Sequence, residues 1–186
     1  MPDFKLTGPK GGALVNRAPL ARVTKILPGL VRRFGKVGVS PAAPVPIDFR
    51  ARVVKWAHWG VANEPQIHYA ETRPMPLHPA LPLTTDCSGF VTLCYFLSGC
   101  ADPNDLGFNG QGYTGTLLDH GKRVTKAQAR PGDLVVYGPG TGWHVAVIVE
   151  AGSDPLTVSH GQEKGPELVR VSQDGRVPQT FLSFLP

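Results

Sequence analysis

Between Leu134 and Leu185 the apolar residues stop recurring at helical intervals. They gather instead in short β-branched runs separated by Gly and Pro turns, and this change of period is the strongest constraint on the fold. Leu134-Val135-Val136-Tyr137 is opened by the turn Pro131-Gly132-Asp133, and His144 to Val149 follows the open turn Gly138 to Trp143. Leu156 to His160 comes after Gly152-Ser153-Asp154-Pro155, and Leu168–Val171 and Phe181–Leu185 supply a fourth and a fifth run. Turns this short join antiparallel neighbours. Ahead of the strands the period is helical. Asp48 is placed to cap a helix with Phe49, Val53, Trp56, Ala57 and Gly60 on one face. Phe90, Val91, Cys94 and Leu97 mark a second helix running from Cys87 to a Gly99 stop. The passage from Pro65 to Pro82, with Pro74, Pro76, Pro79 and Pro82, and the Gly/Asn/Asp-rich stretch 101–115 read as loops, with a short helix over Thr116 to His120. Helices first and consecutive strands afterwards define an α+β chain with a mostly antiparallel sheet of about five strands.

Charge divides the chain in two. Residues 1–47 carry eight Lys or Arg and one Asp, whereas residues 48–186 carry eleven basic and thirteen acidic side chains. The basic character therefore belongs to an arm, residues 1–46, which ends in the proline-rich linker Ser40 to Pro46; the domain proper is 47–186. The arm is suited to an anionic surface, or serves as a solvated packing extension. The slightly acidic domain is not expected to bind nucleic acid. Three cysteines with no CxxC pair exclude a disulfide framework, and neither metal nor cofactor is expected. The start of the chain lacks the apolar core and cleavage site of a secretory signal, and no run approaches the roughly 18 apolar residues of a membrane span.

Cys87 sits where the second helix begins. Unpaired N–H groups and the positive end of the dipole there favour an anion, and a free thiol of pKa roughly 8.5 needs such help to ionise at neutral pH. Taken alone, a free cysteine is as readily a small buried hydrophobe. A cysteine nucleophile requires a base within hydrogen-bond reach and a third group to orient that base. His144 opens one strand and His160 closes the next. In an antiparallel hairpin those two ends are neighbours, so Cys87, His144 and His160 can share one corner.

Three motifs in this order, Thr85-Asp86-Cys87-Ser88-Gly89-Phe90-Val91, then Arg130 to Tyr137, then His144-Val145-Ala146-Val147, resemble the NlpC family of papain-like cysteine peptidases. The resemblance covers about Asp48 to Val171. It implies a cysteine-bearing helix packed on a histidine-bearing antiparallel sheet, and hydrolysis of amide bonds in peptidoglycan stem peptides, commonly beside D-glutamate. Cys87 is implied as nucleophile, His144 as base and His160 as its orienting group, with Gln162 or Glu163 as alternatives for the last. Asp86 and Ser88 are implied in binding the free amino end of the stem peptide, and Tyr69 in lining the site. The family's Trp and paired Gly ahead of the cysteine are missing around Ile67-His68-Tyr69-Ala70. His160-Gly161-Gln162-Glu163 and Gly112-Tyr113-Thr114-Gly115 resemble phage-encoded members. That likeness implies a lysin or virion-borne enzyme held in the host cytoplasm before it meets the wall. The competing expectations are a CHAP-like amidase and a non-catalytic wall- or virion-binding protein working through its basic arm.

Overall fold

The structure, a computed structural model, describes residues 46–162 and 165–186. The arm and linker expected over 1–46 lie outside these apart from Pro46, as does Glu163. Helix α1 (Phe49–Ala62) starts where expected, with the Asp48 carboxylate accepting the Ala51 N–H at 3.0 Å. Next come two short parallel strands, β1 (Ile67–Tyr69) and β2 (Leu83–Thr85), and helix α2 (Cys87–Ser98). Helix α2 ends at Gly99 in the left-handed region, φ 74°.

Helix α3 (Thr114–His120) leads into β3 (Lys122–Val124), β4 (Leu134–Tyr137), β5 (His144–Glu150), β6 (Leu156–Ser159) and β7 (Glu167–Arg170). One turn of helix, α4 (Val171–Asp174), precedes β8 (Gln179–Ser183). The main sheet is antiparallel throughout, in the order β3-β8-β4-β5-β6-β7. It has six strands where about five were expected. The additional strand, β3, is a three-residue edge of Lys-Arg-Val with no apolar alternation to betray it. Strands β1 and β2 are equally short; β1 falls inside the passage read as loop and β2 starts directly after its last proline, Pro82.

Strands β4 and β5 are buried on both faces, so they read as unbroken apolar runs. Leu134, Val136, Val145, Val147 and Val158 face α1 and α2, packing with Val53, Ala57, Phe90, Val91 and Tyr95. Val135, Tyr137, Ala146 and Ile148 face the other way, against Phe181 and Val171. Helix α2 is tied down at two levels. Tyr95 donates its hydroxyl to the Gly132 carbonyl at 2.7 Å. At the first turn, a Cβ on Gly89 would meet Met75 Cγ at 2.8 Å, so only glycine lets the helix tip come this close to Met75.

Candidate active site

Cys87 is the first residue of α2, placed by Asp86 as N-cap. Asp86 Oδ1 accepts the Gly89 N–H at 2.7 Å and the Ser88 hydroxyl at 2.9 Å. Its Oδ2 takes the Arg73 guanidinium at 2.8 Å, and Arg73 Nη2 also donates to Ser88 Oγ at 3.1 Å. The Arg73 Nε–H holds the Gly112 carbonyl at 3.1 Å. Both oxygens of Asp86 are therefore engaged within the protein. An incoming amine meets a carboxylate already paired with a cation, a counter-ion that the residues around the cysteine gave no reason to expect. Tyr69 lines the same place, and its hydroxyl donates to Glu71 Oε1 at 3.0 Å.

These residues surround a cavity of about 390 Å³ that opens on Cys87, with the exposed aromatics Tyr113 and Trp143 on its rim. A larger cavity of about 620 Å³ lies along His120, Lys122, Arg130 and Phe184. It has no cysteine, and its Asp133 and Ser183 are committed to Arg50. Among the described residues no group of three His, Cys, Asp or Glu is placed to hold a metal, and no helix is long and apolar enough to cross a membrane.

Cys87 is 5% exposed. Burial comes first and the Asp86 charge second in pushing its pKa up to about 11, against N–H groups of Val145 and Ser88 that pull it down. The thiolate expected from the helix terminus is thus not the resting form: desolvation and an adjacent carboxylate outweigh the helix end. Proton removal must be supplied at the moment of attack.

Cys87 shares an apolar cluster with Val145, the residue that follows His144 on β5. His144 is buried at the start of β5, with its ring stacked on Tyr137 (centroids 5.9 Å apart) and Nε2 2.7 Å from Ser159 Oγ.

His160 does not orient His144. Its Nε2 is 3.0 Å from the Thr85 carbonyl and so carries the proton. The ring packs between Tyr69 (5.4 Å) and Phe90 (5.8 Å). The reason is the two-residue period of a strand. Ala146 pairs with Ser159, which puts Ser159 on the His144 face and turns His160 toward α2. The same carbonyl accepts the Ala70 N–H at 3.1 Å, so His160 bolts β6 to the β1–β2 pair that delivers Cys87. Burial lowers the pKa of His160, opposed by the Thr85 and His68 carbonyls and by Asp86. Gln162 is exposed. Ser159, Arg73 and Glu71 were not anticipated. A one-residue choice of register decides between Ser159 and His160, and the irregularity between Ile148 and Glu150 hides that choice from the sequence.

Residues 67–172, more than half of the chain, match the NlpC/P60 family. Over 78 residues, 40% of the chain, the sequence is 32% identical to the peptidoglycan endopeptidase RipA of Mycolicibacterium smegmatis, of which the match covers 14%. Over 67 residues, 36% of the chain, it is 37% identical to the peptidoglycan endopeptidase RipB of Mycobacterium tuberculosis, of which the match covers 24%. The chain therefore spans only a small part of the length of these relatives. The fold is similar to the NlpC/p60 domain of the peptidoglycan hydrolase SagA, with TM-score 0.50 and 21% identity over 73% of this chain and 98% of that one. It is also similar to RipD of M. tuberculosis, described as a non-catalytic NlpC/p60 domain protein adapted to peptidoglycan binding, with TM-score 0.52 and 20% identity over 74% and 98%.

Proposed function

The chain belongs to the NlpC/P60 family, and on that premise we propose that it is a cysteine peptidase hydrolysing amide bonds in the stem peptides of peptidoglycan. The observation that carries this reading is the position of Cys87. It lies at the first turn of α2, opens on the 390 Å³ cavity, and shares an apolar cluster with Val145, the neighbour of His144 on β5. Because the thiol rests protonated, His144 takes its proton as the sulfur bonds to the amide carbonyl carbon. The Cys87 backbone N–H, at the free end of α2, stabilises the resulting oxyanion. The carbon–nitrogen bond then breaks, the leaving amine takes the proton from His144, and water hydrolyses the thioester with His144 again as base.

The cavity supports a peptide substrate. It is lined by hydrogen-bonding groups of Tyr69, Glu71, Ser88, Gln111 and Thr114, and Tyr113 and Trp143 flank it. A phage lysin or virion-borne hydrolase, acting between D-glutamate and the diamino acid, is the finer form of this reading, and the phage-like Gly112 to Gly115 segment beside the cavity supports it.

The test is turnover of soluble muropeptides followed by mass analysis of the fragments. Cys87→Ala is expected to abolish hydrolysis while leaving the melting transition in place; undiminished turnover in that variant ends the reading. Free lactyl ends on the glycan in place of cut stem peptides redirect it to an amidase. A wild-type chain that binds muropeptides and cuts none redirects it to a binding protein.

A further inference from the structure

The hydrogen bond between His144 Nε2 and Ser159 Oγ, 2.7 Å long with both residues buried, has no part in the reaction as written above. We propose that Ser159 is the positioning residue of the site, holding His144 in the tautomer and orientation that the thiol needs; this rests on Cys87 and His144 being the reacting pair. Strand geometry carries the argument. Tyr137 pairs with His144 and Ala146 with Ser159, so these four side chains share one face of the sheet, and the His144 ring is held between the stacked Tyr137 ring and the Ser159 hydroxyl. His160 lies one residue out of phase, on the α2 face, with Nε2 given to Thr85.

A serine hydroxyl has lone pairs to accept an N–H and one proton of its own to give. Accepting from His144 Nε2–H, it fixes Nδ1 as the basic nitrogen. The Cys87 proton then passes to Nδ1 as the sulfur–carbon bond forms, and the same proton leaves with the amine when the carbon–nitrogen bond breaks. Nε2 keeps its own proton bound to Ser159 throughout. The ring is aligned by a neutral partner, which orients the imidazolium without adding a compensating negative charge. A carboxylate at this position would do both, and would raise the imidazole pKa.

Three measurements on the full chain test this. Ser159→Ala is expected to lower kcat on a soluble muropeptide roughly ten- to a hundredfold with KM within about twofold, as expected when a catalytic imidazole loses its orienting partner. Ser159→Thr, which keeps the hydroxyl, restores most of that loss. Ser159→Asp moves the acidic limb of the kcat/KM profile to higher pH. Unchanged kcat in Ser159→Ala, or an equal loss in Ser159→Thr, overturns the proposal. The third measurement needs no turnover: ¹⁵N resonances of His144 should report the Nε2–H tautomer in the wild-type chain and a mixture in Ser159→Ala. A wild-type Nδ1–H tautomer overturns the proposal even if peptidase activity is found. Conversely, an Nε2–H tautomer in a chain that cuts no muropeptide upholds the Ser159 contact and removes the proposed function.

Discussion

Two aspartates of this domain do nearly the same thing with opposite consequences. Asp133 and Asp86 each receive an arginine, at 2.9 and 2.8 Å, and each caps a backbone turn: Asp133 Oδ2 accepts the Arg130 N–H and Asp86 Oδ1 the Gly89 N–H. Asp133 is fully buried. Through Arg50 and Ser183 it joins α1, the turn before β4 and the end of β8. Asp86 is nearly as buried, but its arginine is 22% exposed and lines the cavity in front of Cys87. One pair closes the scaffold; the other sets the charge that the Cys87 thiol feels. The difference lies in what stands next to each pair, since the residues and distances are alike. A motif residue such as Asp133 is thus held in place by architecture, whereas Asp86 answers to architecture and chemistry together.

The comparison breaks most visibly at Asp133. Replacing it by Ala leaves the Arg50 guanidinium without its carboxylate and strips an acceptor from Arg130 N–H and Ser183 Oγ. Losing one partner of a buried pair costs about 3–5 kcal/mol, so urea denaturation of Asp133→Ala should show a loss of that order. The fraction that remains folded should hydrolyse muropeptides with wild-type KM. A loss below about 1 kcal/mol, the range of surface pairs, would place Asp133 with the exposed pairs and undo the contrast.

The same contrast explains how much the sequence revealed. The helix from Cys87 to Gly99 and the strands 134–137 and 144–149 could be read because their apolar periods are long, their caps are marked, and strands buried on both faces leave uninterrupted runs. Cys87 could be named from its seat at a helix start, and Asp86, Ser88 and Tyr69 from the family resemblance; the structure gathers all four around one cavity. Arg73 could not. It sits in a proline-rich loop thirteen residues before its partner, and nothing in local composition says that a loop folds back on a helix tip. Ser159 was hidden by register, where one residue exchanges faces. What stayed hidden was contact between side chains far apart in sequence.

Arg73 sharpens the comparison from the other side. Arg73→Ala should cost less stability than Asp133→Ala, since Asp86 keeps the Gly89 N–H and the Ser88 hydroxyl as donors, yet it should alter the site. With the guanidinium gone, the Asp86 charge acts on Cys87 uncompensated, and that charge already raises the thiol pKa. Alkylation of Cys87 by iodoacetamide at fixed pH should slow roughly three- to tenfold. KM for muropeptides with a free amino end should fall as Asp86 becomes available to them. Arg50→Ala should do neither. An alkylation rate unmoved by Arg73→Ala would mean that the ion pair at the site is as purely structural as the one in the scaffold.

The smallest effect is expected at His160, where scaffold and site meet. Its folded-state pKa lies below the ordinary histidine value because burial penalises the imidazolium more than the Thr85 and His68 carbonyls and Asp86 favour it. An unfolded chain therefore binds the proton more readily than the folded one, and stability rises with pH across the window between the two pKa values. The contribution is complete above an unfolded value of about 6.5 and declines as pH falls from there toward the folded value. Denaturation midpoints measured from pH 8 down to pH 5 should drop in the wild-type chain. The drop should be shallower in His160→Gln, which is uncharged at every pH and keeps an amide N–H to offer the Thr85 carbonyl. Equal pH slopes in the two proteins would mean that the folded chain binds the His160 proton as readily as the unfolded one, and that this side chain adds nothing to the acid sensitivity of the fold.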